Sequence, residues 1–129
     1  MKKPVLQTPL VLVVEDDGDA REMYEVVLAG SGFRVASAAN GIDAIDKART
    51  LLPGLILMDL SLPSLDGWEA SRRLKDGAST RDIPIVALSG NPIDDEAGAG
   101  QVFAAALMKP CLPDDLIAAV RRLVGPFHP

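Results

Sequence analysis

Leu55-Ile56-Leu57-Met58-Asp59-Leu60-Ser61-Leu62-Pro63-Ser64-Leu65-Asp66-Gly67 is the stretch that decides the fold. Four apolar residues run straight into a carboxylate, and a proline and an Asp-Gly pair follow within eight positions. A continuous apolar run of this length reads as a strand buried on both faces, as in a parallel sheet. Asp59 stands where the run stops, so the strand holds it while its carboxylate emerges at the carboxyl edge. Ligands of open α/β sheets bind at that edge.

Outward from this strand, apolar runs alternate with helical periods. Leu10 to Val14 form a buried first run that ends in Glu15-Asp16-Asp17. Ala20, Met23, Tyr24, Val27 and Leu28 then recur as one face of a helix, with Asp19 and Glu22 spaced as a capping box. Gly30-Ser31-Gly32 stops it, and residues 33–38 predict a short strand near an edge, since it contains Arg34 and Ser37. Asn40-Gly41 opens a second helix facing inward through Ala44, Ile45, Ala48, Leu51 and Leu52, ended by Pro53-Gly54. Beyond Asp59, Asp66 can cap a third helix with Glu69 at the capping-box position, and Gly77 closes it. Residues 85–88 predict a fourth strand ending at Ser89-Gly90. Asp94-Asp95-Glu96 suit a helix start, but Gly98 and Gly100 each cost about 1 kcal/mol there, so the fourth helix should be short. A fifth strand over residues 104–108 ends at Lys109-Pro110, and a last helix runs from Pro113 to Gly125-Pro126.

Five strand-helix repeats in 129 residues make a single α/β domain, with residues 1–8 as an N-terminal extension and 126–129 as a tail. Crossovers of this length favour parallel strands with right-handed connections. Lys2 and Lys3 before an apolar stretch resemble a secretory signal, but Pro4, Gln7 and Pro9 interrupt it. With no span-length apolar run and a single cysteine, Cys111, the expected setting is cytoplasmic and away from membranes. The net charge of −5 argues against a nucleic-acid partner, which would call for clustered Lys and Arg.

In a parallel sheet the residues just past each strand share one edge. Glu15, Asp16 and Asp17, Asp59, Ser89 and Lys109 all stand at such ends. If strands one and three are neighbours at a reversal of strand order, the acidic cluster and Asp59 share a crevice. Oxygen ligands bringing about −3 beside a lysine suit Mg2+ better than a transition metal. A carboxylate beside Mg2+, a lysine and a hydroxyl is also a site that can accept a phosphoryl group.

The motifs VLVVEDD (11–17), LILMDLSLPSLDG (55–67), IVALSG (85–90) and LMKP (107–110), in this order and spacing, resemble the receiver domain of two-component response regulators over essentially the whole chain. The resemblance implies a doubly wound, flavodoxin-like (βα)5 sheet of order 2-1-3-4-5. It implies that Asp59 is the phosphoacceptor, taking its phosphoryl group from a sensor histidine kinase or phosphotransfer protein. Glu15, Asp16, Asp59 and the backbone carbonyl of Ser61 would bind Mg2+, Ser89 would be the switch hydroxyl and Lys109 the phosphate-pairing lysine. The Lys109-Pro110 bond is expected to be cis.

One departure stands out. The family's Tyr or Phe three residues before the lysine is Ala106 here, with Phe103 the one aromatic nearby. The expected function is a phosphorylation-switched receiver that signals by contact with a downstream protein, as a monomer or weak homodimer. No enzymatic activity is expected beyond self-phosphorylation from phosphodonors and autodephosphorylation. The Met1 start and the lack of a linker point to a stand-alone receiver rather than a piece of a larger regulator or hybrid kinase. Two alternatives stay open: a receiver-like scaffold indifferent to phosphorylation, and a Mg2+-dependent aspartyl-phosphate phosphatase. Haloacid-dehalogenase-like phosphatases place a second Asp two residues on, where this chain has Ser61.

Overall fold

In the computed structural model, residues 8–62, 65–93 and 98–124 are described. Five strands, β1 (Leu10–Val14), β2 (Arg34–Ala38), β3 (Leu55–Asp59), β4 (Ile85–Ser89) and β5 (Ala105–Met108), form one sheet of order β2-β1-β3-β4-β5. Every pairing is parallel. The helices between them are α1 (Gly18–Gly30), α2 (Gly41–Leu51), α3 (Gly67–Asp76), α4 (Ala99–Val102) and α5 (Pro113–Val124). This is the expected doubly wound α/β fold.

Alternate residues of each central strand feed different cores, which is why their apolar runs are unbroken. Leu12, Val14, Ile56, Met58, Ile85 and Ala87 join the α2 and α3 side. Val11, Val13, Leu55, Leu57, Val86 and Leu88 join Tyr24, Leu28, Leu116 and Val120 from α1 and α5. Of the extension read at residues 1–8 only Thr8 is described; its carbonyl accepts a hydrogen bond from Arg34 Nε at 2.9 Å. The tail, Pro63, Ser64 and the Asp94-Asp95-Glu96 helix start lie outside the described residues.

Local chemistry accounts for most helix ends. Asn40 caps α2 by accepting from the Asp43 amide, and Asp66 caps α3 by accepting from the Glu69 amide. The α1 cap is Asp17 rather than Asp19: its carboxylate accepts from the Ala20 amide at 3.0 Å. The helix begins earlier because the chain turns directly after Glu15. Two of the apolar faces are also narrower than the periodicity implies. Met23 is 40% exposed, and Leu51 and Leu52 are 43% and 55% exposed. Leu52 adopts a left-handed conformation (φ 48°) that turns the chain out of α2, so it leaves the helix face just after Leu51, the last residue of the helix.

One buried polar atom among the described residues has no partner, the Ser71 hydroxyl in α3. An unsatisfied buried hydroxyl carries a desolvation cost. Ser71→Ala should therefore leave stability unchanged or raise it by about 1 kcal/mol. A lower denaturation midpoint in urea for the variant would show that the hydroxyl has a partner after all.

Candidate functional site

The site lies where the sheet order reverses, between the carboxyl ends of β1 and β3. Continuous burial of both strands delivers Glu15 and Asp59 to the edge with only 1% of each residue exposed. Asp16 is exposed beside them. Oxygen atoms of Glu15, Asp16 and Asp59 all lie within 4.8 Å of one another. From β5, Lys109 Nζ reaches both buried acids, 2.9 Å from Glu15 Oε1 and 3.2 Å from Asp59 Oδ2. The Lys109-Pro110 bond is cis.

Backbone groups complete the arrangement. The Ser61 amide donates to Asp59 Oδ1 at 3.0 Å, and the Asp17 amide donates to Glu15 Oε2 at 3.3 Å. Ser89 ends β4: its carbonyl accepts from the Lys109 amide at 2.8 Å, and its Oγ accepts from the Asn91 amide at 3.2 Å. Every residue expected at the site is thus at this edge.

Two buried carboxylates this close titrate as a pair. Burial raises the Glu15 carboxyl and a hydrogen bond with Asp59 raises it further, to about 7, against the opposing pull of Lys109. Burial also works against ionisation of Asp59. The hydrogen bonds from Glu15, the Ser61 amide and Lys109 outweigh it and hold this carboxyl below its ordinary value. For Lys109 burial likewise opposes the charge, and hydrogen bonding to the two acids wins, so the ammonium is held charged. As pH falls below about 7 the pair takes up one proton, on the Glu15 side, while Asp59 stays an anion.

Three contacts escape a reading of the sequence. Arg21 Nη1 donates to the Glu15 carbonyl at 2.9 Å. Gly67 lies so close to β3 that a Cβ there would stand 2.1 Å from the Asp59 carbonyl oxygen. Phe103, buried, packs edge-on against Trp68, with ring centroids 4.9 Å apart. Ala106 lines a cavity of about 240 Å3 with Ile93, Ala99, Gly100, Phe103 and Ala105. The Asp-Gly pair was the one visible signal among these. It marks a turn, but it does not say what the turn packs against.

Residues 11–121 match the family model described as the response regulator receiver domain. The chain belongs to this family. The receiver is 36% identical over 113 residues to the DNA-binding response regulator MtrA of Mycobacterium tuberculosis, covering 86% of this chain and 48% of that protein. It is also 36% identical over 119 residues to the transcriptional regulatory protein PrrA of the same organism, covering 91% of this chain and 50% of that one. The receiver therefore spans about half the length of these curated relatives.

Among solved structures, it superposes on the receiver domain of a sensor histidine kinase from Pseudomonas aeruginosa with a TM-score of 0.84 and 31% identity, over 93% of this chain and 100% of that one. That structure has a magnesium ion coordinated in its active-site cleft. The chemotaxis protein CheY4 of Vibrio cholerae also gives a TM-score of 0.84, at 25% identity over 91% and 99% of the two chains.

These relatives correct one expectation. The acidic charge led to the exclusion of a nucleic-acid partner, and that exclusion does not stand, since MtrA is a DNA-binding regulator. The charge of −5 describes only the half of such a protein that this chain spans. The expected membrane-free setting rests on less: among the described residues, no helix is long and apolar enough to cross a membrane. For Mg2+, the donor set fits. It is made of carboxylate oxygens at one edge with no histidine or cysteine among them, the ligands that a hard divalent cation takes.

Proposed function

We propose that this receiver is switched by phosphorylation of Asp59, with the phosphoryl group supplied by a phosphohistidine of a sensor histidine kinase or phosphotransfer protein. The observation that carries this reading is the position of Lys109 Nζ between two buried carboxylates, 3.2 Å from Asp59 and 2.9 Å from Glu15. A lysine so placed holds Asp59 ionised and ready to attack, and it can follow the oxygens of an incoming phosphoryl group.

Glu15, Asp16, Asp59 and the Ser61 backbone carbonyl would hold Mg2+. The ion supplies positive charge against the oxygens of the transferring group. An Asp59 carboxylate oxygen bonds to phosphorus as the phosphorus–nitrogen bond of the donor imidazole breaks. The electron pair leaves with the nitrogen. Lys109 then pairs with a phosphoryl oxygen, and the Ser89 hydroxyl, released from the Asn91 amide, donates to another. The product replaces one carboxylate charge with about two. That shift would reset the loops after β3 and β4 and be read by a downstream protein.

The test is intact mass after incubation with acetyl phosphate, with and without Mg2+. A Mg2+-dependent gain of one phosphoryl group, absent in Asp59→Asn, is the expected result. No adduct under either condition would overturn the reading in favour of an unphosphorylated scaffold. Steady turnover of phosphorylated small molecules would point to a phosphatase.

A further inference from the structure

The geometry points to Arg21 as a positioning residue for the divalent-cation site, one that sets the direction of Asp16 through the Glu15 carbonyl. The inference rests on the assignment of that site to Mg2+ above.

Arg21 is an odd residue for its place. It lies in the first turn of α1, where a cation opposes the helix macrodipole. An arginine on an ordinary helix surface there would extend into water. This side chain is only 27% exposed and folds back over the start of the helix. Nη1 donates to the Glu15 carbonyl at 2.9 Å, while Nε lies 3.9 Å from Glu25 Oε1 one turn further along. The planar guanidinium can serve both groups at once, which a lysine ammonium on its single stem does not reproduce.

The bonded carbonyl belongs to the peptide that joins Glu15 to Asp16. On its other side Glu15 is tied to the sheet, its amide donating to the Ala38 carbonyl at 3.1 Å. Its carboxylate is held by the Asp17 amide and Lys109. Asp16 has no such anchors. It is exposed, and among the described residues no hydrogen bond or ion pair holds its carboxylate. Its direction is therefore inherited from the backbone, and the Glu15–Asp16 peptide is clamped by Arg21. Outer groups that orient metal ligands in this way typically change metal affinity 10- to 100-fold when removed.

The sign of the effect separates this role from a purely electrostatic one. A guanidinium beside an acidic cluster repels a divalent cation, so removing it would tighten Mg2+ binding if charge alone mattered. Loss of positioning weakens it.

Isothermal titration of the phosphate-free full chain with MgCl2 is the test. Arg21→Ala should bind Mg2+ about tenfold more weakly than wild type, and Arg21→Lys should recover part of the loss. In acetyl-phosphate reactions the half-saturating Mg2+ concentration of Arg21→Ala should rise by a similar factor. The rate at saturating Mg2+ should be retained, a split that general destabilisation would not produce. Tighter binding by Arg21→Ala, or binding within about twofold of wild type, would overturn the proposal. Should Arg21→Ala fail to fold, Arg21→Gln is read by the same criterion, since it also lacks the charge and the two-sided fork. If wild type gives no phosphoryl adduct, the function proposed above fails while the titration still decides the role of Arg21.

Discussion

Gly67→Ala is expected to cost the receiver about 3 kcal/mol and about 10 °C in melting temperature. Its Cβ would stand 2.1 Å from the Asp59 carbonyl oxygen and 2.8 Å from the Leu60 Cα. Both neighbours are backbone, so no flexible side chain can yield. Either α3 lifts away from the sheet or the peptide after Asp59 moves. The first course opens a core that includes Ala70 and Leu74. The second disturbs the Ser61 amide that holds Asp59 Oδ1. Phosphorylation should therefore fall along with stability. Gly90→Ala is the matched control, because nothing lies within 4 Å of a Cβ there; its stability should stay within about 0.5 kcal/mol of wild type. Chemical denaturation of the pair measures the difference. A Gly67→Ala melt that coincides with wild type would mean that the contact is not rigid.

The second large effect is in pH. Glu15, pushed up to about 7 by burial and by Asp59, must lose its proton before it can hold a divalent cation. Mg2+ affinity should therefore rise with pH and be about a hundredfold weaker at pH 5 than at pH 8, one proton being displaced per ion. The stability of the metal-free protein should run the other way. A carboxyl whose folded value lies above its unfolded value of 4.5 favours the folded state fully below 4.5, and this contribution is lost as pH rises through 7. Asp59, held below its ordinary 3.8, contributes in the opposite sense, but only at pH values lower than this window. Glu15→Gln should flatten both profiles between pH 5 and 8. Calorimetric titration with MgCl2 and thermal melts in EDTA across that range provide the measurement. A pH-independent Mg2+ affinity in wild type would place the retained proton elsewhere.

Much of this arrangement is legible from residues alone, for a local reason. A strand buried on both faces needs an unbroken apolar run, so Leu55 to Met58 and Leu10 to Val14 reveal themselves by composition. Where such a run meets a carboxylate the chain must be leaving the sheet, and Asp59 and Glu15 are found at that boundary. Caps are equally local, and Asn40 and Asp66 act within their own helices. The α1 cap was misplaced by two residues, from Asp17 to Asp19. Four acids fall within five positions there (Glu15, Asp16, Asp17 and Asp19), and only the turn after Glu15 decides that Asp17 rather than Asp19 caps the helix. Leu51 and Leu52 fit the helical period but not the core, because period says nothing about where a helix outruns the sheet it covers.

By itself, then, the sequence determined the strand and helix order, the acids at the ends of the first and third strands and the lysine at the end of the last, since each rests on contacts within a few residues or on a strand's own burial. Only the tertiary structure decided what lies across from what. It brought Lys109 Nζ within 3.2 Å of Asp59 over a gap of fifty positions, and Gly67 against the backbone of Asp59. It folded Arg21 back onto the Glu15 carbonyl. These are distances between chain segments set by how the helices pack on the sheet. The stretch from Leu55 to Gly67 therefore announces an acid at the end of a buried strand, while the packing around it buries that acid and sets which charge state it holds.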